Sequence, residues 1–195
     1  MSVAARPLTL ADAALPRTGT LQNVVLVLLA SLLTAAAAQA AIRLPWSPVP
    51  ITGQSFAVLL AGAALGPRRA AAAMALYLAE GACGLPVFAG GASGAHLFLG
   101  PTGGYLLSFP IAAFVTGWLA ARAWDRRPAT MFVAMLCGSA VILGLGALQL
   151  ARFVPHGSVL ASGVLPFLPG DAIKAGIAAG VFPAAWRFVG GPEAR

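Results

Sequence analysis

The chain has 195 residues, 59% hydrophobic and only 9% charged, where a soluble domain carries about 25% charged residues; this composition excludes an ordinary soluble fold and indicates a membrane protein. The net charge of +7 does not read as a nucleic-acid surface, because the arginines lie between apolar tracts and not among stacking aromatics on a polar face. Cys83 and Cys137 stand alone, without a CxxC pair or a ligand cluster, so both read as small packing residues and no metal or cofactor is expected.

Residues 1–20 are mixed in character, contain Pro7 and Pro16, and read as a short mobile cytoplasmic arm ahead of a membrane domain at 21–190. The first apolar segment, 21–42, is long enough to span. It follows Arg17 and ends in Ala38-Gln39-Ala40, which mimics a signal-peptidase site, but its length and the five apolar segments after it oppose cleavage. Small residues recur along it at Ala30, Thr34 and Ala38, with Ala36 and Ala40 besides, a spacing that lets helices approach closely. Packing inside the bundle explains that stripe nearly as well as docking of a partner.

The second and third segments, 54–66 and 68–83, fall short of the ~20 residues needed to cross a hydrocarbon core of about 30 Å. Gly66-Pro67-Arg68-Arg69 separates them as a tight hairpin. Short helices at membrane depth are tolerated only where protein or a cavity covers their ends, so this pair is expected to border a binding site. Tyr77 and Glu80 fall near the outer end of the third segment, where Glu80 reads as interfacial and solvated. Segments 103–123, 130–151 and 168–189 complete an all-α bundle of six transmembrane helices.

The arginines orient it. Arg6, Arg17, Arg68, Arg69, Arg122, Arg126, Arg127, Arg187 and Arg195 fall on one side, and only Arg43 and Arg152 on the other, which places both termini in the cytoplasm. The connections 43–53, 84–102 and 152–167 on the opposite side are long and rich in proline and glycine, as loops that cap or gate a site are.

The sixth segment holds the one lysine of the chain, Lys174, three residues after Asp171. A charge in the middle of a spanning helix costs roughly 2.5–3.5 kcal/mol on insertion scales, so an intramembrane acid and base together suggest a functional site. The i, i+3 spacing puts both on one helix face, where they compensate each other and can still face a cavity. A self-neutralising structural ion pair is the plainer alternative.

Three loops are too particular for generic linkers: Pro48-Val49-Pro50-Ile51-Thr52-Gly53-Gln54; Gly84-Leu85-Pro86-Val87-Phe88-Ala89-Gly90-Gly91-Ala92-Ser93-Gly94, running on to Leu99-Gly100-Pro101-Thr102-Gly103-Gly104-Tyr105; and Leu165-Pro166-Phe167-Leu168-Pro169-Gly170-Asp171 with Lys174 behind it. Together with Ala61-Gly62-Ala63-Ala64-Leu65-Gly66-Pro67, and in this order over about residues 21–190, they resemble the BioY family, the biotin-binding S components of energy-coupling factor vitamin transporters. The resemblance implies a six-helix S-component bundle that captures biotin from outside. It further implies a transmembrane coupling protein and a pair of ATPases as partners. The chain has no G-x-x-x-x-G-K-[ST] run, so ATP hydrolysis would belong to a partner and the protein is not expected to be an enzyme. In this family a small-residue stripe on the first helix docks the coupling protein, which makes Ala30, Thr34 and Ala38 the candidate docking face.

Biotin offers two ureido N–H donors, a ureido carbonyl, an apolar thioether ring and a valerate carboxylate. Asp171, acceptor-only when ionised, and Lys174, donor-only, match the two ends of the ureido group, and the resemblance assigns its G-D-x-x-K pair to that ring. Lys174 could instead meet the carboxylate, but Asp171 would then repel it. For the carboxylate the loop offers Ser93, His96 and a nest of backbone N–H groups around Gly90 and Gly91, though His96 also reads as a plain loop residue, as does His156. Tyr105 would wall the pocket and donate its hydroxyl, or serve as an interfacial tyrosine. Trp46, Phe88 and Phe167 offer apolar walls, or belong to aromatic belts. The alternatives are an S component for another small vitamin, a small membrane enzyme using Asp171 and Lys174 as acid and base, and a self-sufficient transporter. No second intramembrane acid accompanies the pair, and no inverted repeat relates the two halves.

Overall fold

The computed structural model describes residues 9–15 and 19–189; Arg6, Pro7, Pro16, Arg17 and Arg195 lie outside them. The described chain is mostly helical: α1 (Leu10–Ala14), α2 (Thr20–Gln39), α3 (Gln54–Leu65), α4 (Pro67–Ala82), α5 (Gly103–Ala120), α6 (Pro128–Leu150), α7 (Val159–Gly163) and α8 (Leu168–Val189). Each of the six expected apolar segments forms a helix. By length and composition four stretches can cross a membrane: Thr20–Gln39, Gly103–Ala120, Pro128–Leu150 and His156–Val189, the last including α7. Helix α3 is apolar but has only 12 residues, and α4 has 16.

The all-α expectation needs one correction. Strands β1 (Ala41–Ile42) and β2 (Ile51–Thr52) pair antiparallel, Ala41 with Thr52 and Ile42 with Ile51. Pro45, Pro48 and Pro50 keep the intervening chain out of a helix, and two short extended pieces satisfy their backbone by pairing with each other. The ladder joins the end of α2 to the start of α3.

Helix α5 is the centre of the bundle, packed against α3, α4 and α6, while α8 packs on α6 and α2 on α4. The α3–α4 turn is built on Gly66, whose φ of 81° suits a residue without a Cβ. Pro67 then opens α4 at a position where the missing N–H costs nothing.

Against that turn sits α1, which corrects the expectation of a mobile arm for its described part. Thr9 is buried and its hydroxyl oxygen accepts from the Asp12 backbone N–H at 3.2 Å. Arg69 at the start of α4 donates to Asp12 Oδ1 at 2.6 Å and to Thr9 Oγ1 at 3.1 Å. Glu80 also differs from expectation: Ser31 Oγ on α2 donates to its carboxylate, so it ties α2 to α4.

The small-residue stripe on α2 faces inward. Thr34 and Ala38 are 0% exposed and Ala30 only 7%; the Thr34 hydroxyl donates to its own Ala30 carbonyl at 2.9 Å and meets Met74 Sδ of α4 at 3.8 Å. Ala30, Thr34 and Ala38 are therefore taken up by packing within the chain and do not offer an open docking face. Spacing alone cannot separate the two uses, because close approach needs the same small residues whether the neighbouring helix is a partner's or the chain's own.

At the opposite end from the long loops, Asp125 lies fully buried in the turn between α5 and α6. Its Oδ2 accepts from Trp186 Nε1 of α8 at 2.6 Å, and its Oδ1 finds no hydrogen-bond partner among the described residues. Burial raises its pKa from 3.8 to about 6, against the opposing pull of the Trp186 bond and the Arg126 charge. A raised pKa means that the folded state holds the proton more tightly than the unfolded chain. The stabilisation is therefore complete below pH 3.8 and is lost as pH rises through about 6. Thermal unfolding in detergent between pH 4 and pH 8 is expected to show a falling midpoint for the wild type and a flat one for Asp125→Asn, which keeps the acceptor for Trp186 and has no proton to lose. Parallel curves would assign the titration elsewhere.

Candidate functional site

Helices α3, α5 and α8 begin, and α2, α4 and α6 finish, at the end of the bundle where the three long connections gather. A cavity of about 470 Å³ opens there, within the few-hundred to thousand Å³ range of small-molecule sites. Its lining combines the β1–β2 connection, the first turns of α3, α5 and α8, and the loop after α4.

Asp171 and Lys174 line it together. Lys174 Nζ donates to Ser55 Oγ of α3 at 2.8 Å, and more loosely to the Thr52 carbonyl and Asp171 Oδ1, each at 3.4 Å. Asp171 is only 6% exposed, yet the loose bond from Lys174 is the one hydrogen bond its side chain accepts among the described residues. Its second oxygen is left for something in the cavity. Ser55 accepts from Lys174 and keeps its own proton to donate. Sequence reasoning missed Ser55, for which the signal was its place one residue after the Thr52-Gly53-Gln54 run.

A relay fixes this corner. Thr52 Oγ1 donates to Gln54 Oε1 at 2.9 Å, Gln54 Nε2 donates to the Tyr77 hydroxyl at 2.5 Å, and Tyr77 donates to the Val87 carbonyl at 2.9 Å. It links the start of α3 through α4 to the loop carrying Phe88. That ring is 2% exposed, lines the cavity, and meets Tyr77 edge-on at 5.4 Å and Phe98 at 5.9 Å.

Tyr105 also lines the cavity, with its ring 6.1 Å from that of Phe167. Its hydroxyl, however, donates to the Gly163 carbonyl of α7 at 2.7 Å. The structure thus makes it a wall whose donor is already used, where the sequence suggested a free one. Phe167 lines the cavity, whereas Trp46 is 65% exposed and does not. Gly90, Gly91, Ser93 and His96 are absent from the lining as well; Ala89 and Ala92 of the same loop reach it instead. Gly90 and Gly91, at φ 65° and 79°, form the turn that brings Ala89 and Ala92 in. Arg43, counted in the sequence only toward orientation, is part of the lining.

Among the described residues no group of three or more His, Cys, Asp or Glu side chains could hold a metal ion. The cavity is a largely apolar chamber with an acid–base corner at Asp171 and Lys174 and a further cation, Arg43, in its lining.

Comparison with known proteins finds relatives of the whole chain. The model of the BioY family matches residues 9–191. A probable biotin transporter BioY from Pyrococcus horikoshii is 41% identical over 157 residues, covering 80% of this chain and 91% of that protein. The biotin transporter BioY of Rhizobium etli is 38% identical over 164 residues, covering 80% and 88%. A crystal structure of the S-component for biotin from an ECF-type ABC transporter superposes with a TM-score of 0.76 at 26% identity, over 86% of this chain and 94% of that one.

Proposed function

The chain belongs to the BioY family, and from that premise we infer that it is the biotin-binding S component of an energy-coupling factor transporter, a membrane subunit that takes up biotin and leaves ATP hydrolysis to its partners. The observation that carries this reading is the unsaturated carboxylate of Asp171 beside Lys174 and Ser55 in a cavity of about 470 Å³. Two ureido N–H groups need acceptors, which Asp171 supplies; the ureido carbonyl needs donors, which Lys174 and the Ser55 hydroxyl supply. Apolar side chains such as Leu106, Phe109 and Ile142 then receive the thioether ring and the alkyl chain. Charge-assisted bonds of this kind contribute about 1.5–3 kcal/mol each.

We further take α2, α3, α4, α5, α6 and α8 as six crossings with both termini in the cytoplasm. Arg68, Arg69, Arg122, Arg126, Arg127 and Arg187 lie at the end away from the cavity, and Arg43 and Arg152 at the cavity end, so the positive-inside rule turns the cavity outward. The short α3 and α4 suit that arrangement because α1 covers their shared turn from one side while α5 packs on both. Ligand would enter from outside, and the coupling protein with its ATPases would act from the cytoplasmic side.

Titration of the isolated protein in detergent with biotin, thiamine and riboflavin tests this. Saturable binding of biotin with at least about a hundredfold preference over the other two is the expected result. Preference for either competitor would assign another vitamin, and turnover of any of them would restore the enzyme reading.

A further inference from the structure

Resting on the biotin reading, we propose that Arg43 is the residue that binds the ligand's carboxylate. The groups suggested by the glycine loop, Ser93, His96 and the Gly90–Gly91 turn, do not line the cavity, whereas Arg43 does. The formal charges in the lining are Arg43, Lys174 and Asp171. Lys174 and Asp171 stand 3.4 Å apart and compensate each other. One positive charge remains over, on Arg43, which has no hydrogen bond or ion pair with any other described residue. A chamber with one surplus cation is matched by a ligand with one negative charge.

The position fits as well as the charge. Arg43 directly follows β1, whose Ala41 pairs with Thr52 of β2, the residue whose carbonyl accepts from Lys174. Its guanidinium spans from this connection to the turn after α4: a Cβ placed on Gly90 would lie 3.9 Å from Arg43 Nη2. The clamp and the acid–base corner thus both adjoin one hairpin: Arg43 follows its first strand, and Lys174 of α8 donates to Thr52 in its second strand and to Ser55 of the helix that follows. A guanidinium fork takes a carboxylate with two parallel N–H bonds.

The test compares biotin with biotinamide, in which the valerate carboxylate is a neutral carboxamide, on wild-type protein, Arg43→Gln and Asp171→Asn, by calorimetric titration. Wild type is expected to prefer biotin by about tenfold or more. Arg43→Gln should bind both ligands equally, at the level of wild type with biotinamide, and Arg43→Glu should reverse the preference. Asp171→Asn should weaken both ligands alike. Equal affinity of wild type for the two ligands, or an undiminished preference in Arg43→Gln, overturns the clamp and leaves the biotin reading standing. Loss of both ligands in equal proportion in Arg43→Gln also overturns it. Failure of wild type to bind either ligand overturns the biotin reading and the clamp together.

Discussion

Asp171→Asn is expected to lower the affinity for biotin by at least about tenfold and as much as a hundredfold. The substitution is nearly isosteric, so the effect is chemical. One acceptor oxygen becomes an NH₂ donor, and the negative charge that strengthens both ureido contacts is lost. Among the described residues only a 3.4 Å contact from Lys174 shares that carboxylate, so little there compensates for its removal. Lys174→Ala should cost as much in affinity and should also destabilise the fold, because it strands a carboxylate that is 6% exposed. Lys174 is itself 20% exposed toward the cavity; access of water to this corner keeps the stability loss below the ~3–5 kcal/mol of a fully dry pair. The double variant Asp171→Asn/Lys174→Met separates the two effects. Its thermal stability should return to that of wild type while biotin affinity stays low. Two single variants with wild-type affinity would remove the pair from the site.

The helices were legible because their signal is local. Apolar tracts of spanning length specify helices by themselves in a solvent that cannot satisfy a free backbone. Gly66-Pro67 likewise announces its own turn, since no other dipeptide so readily combines a positive φ with a proline-opened helix. The Asp171–Lys174 corner was legible for a related reason: two charges in an apolar tract need each other and a cavity. What the sequence withheld depends on distant contacts. Nothing local distinguishes a small-residue stripe that packs on α4 from one that greets a partner. Nothing in Ser55 or Arg43 tells that a two-residue ladder carries one to the lysine and the other to the cavity. The glycine loop misled in the opposite direction. Its glycines serve the turn that presents Ala89 and Ala92, so the residues richest in signature are placed beside the chamber and not in it.

Gly81→Ala is expected to reduce both stability and biotin affinity, a sign opposite to that of helix propensity. Alanine inside a helix is favoured over glycine by up to about 1 kcal/mol, and Gly81 lies in the last turn of α4 with helical geometry. A Cβ there, however, would stand 2.0 Å from Phe88 Cζ and 2.3 and 2.5 Å from two further ring carbons. The ring cannot swing aside freely: Tyr77 meets it edge-on, Phe98 packs on it, and the Gly94 N–H holds its own loop to the Gly81 carbonyl at 2.8 Å. The open direction is into the cavity that Phe88 walls. Overpacking of this kind costs roughly 1–3 kcal/mol, which exceeds the propensity gain, and the displaced ring takes volume from the ligand. Thermal unfolding should therefore show a lowered midpoint, and titration an affinity reduced by about tenfold, a value that corresponds to ~1.4 kcal/mol. Adding Phe88→Leu should restore part of the stability, because the smaller side chain vacates the space that the new methyl group needs. A raised midpoint in Gly81→Ala would mean that Phe88 is not seated against α4, and the wall of the binding chamber would have to be drawn elsewhere.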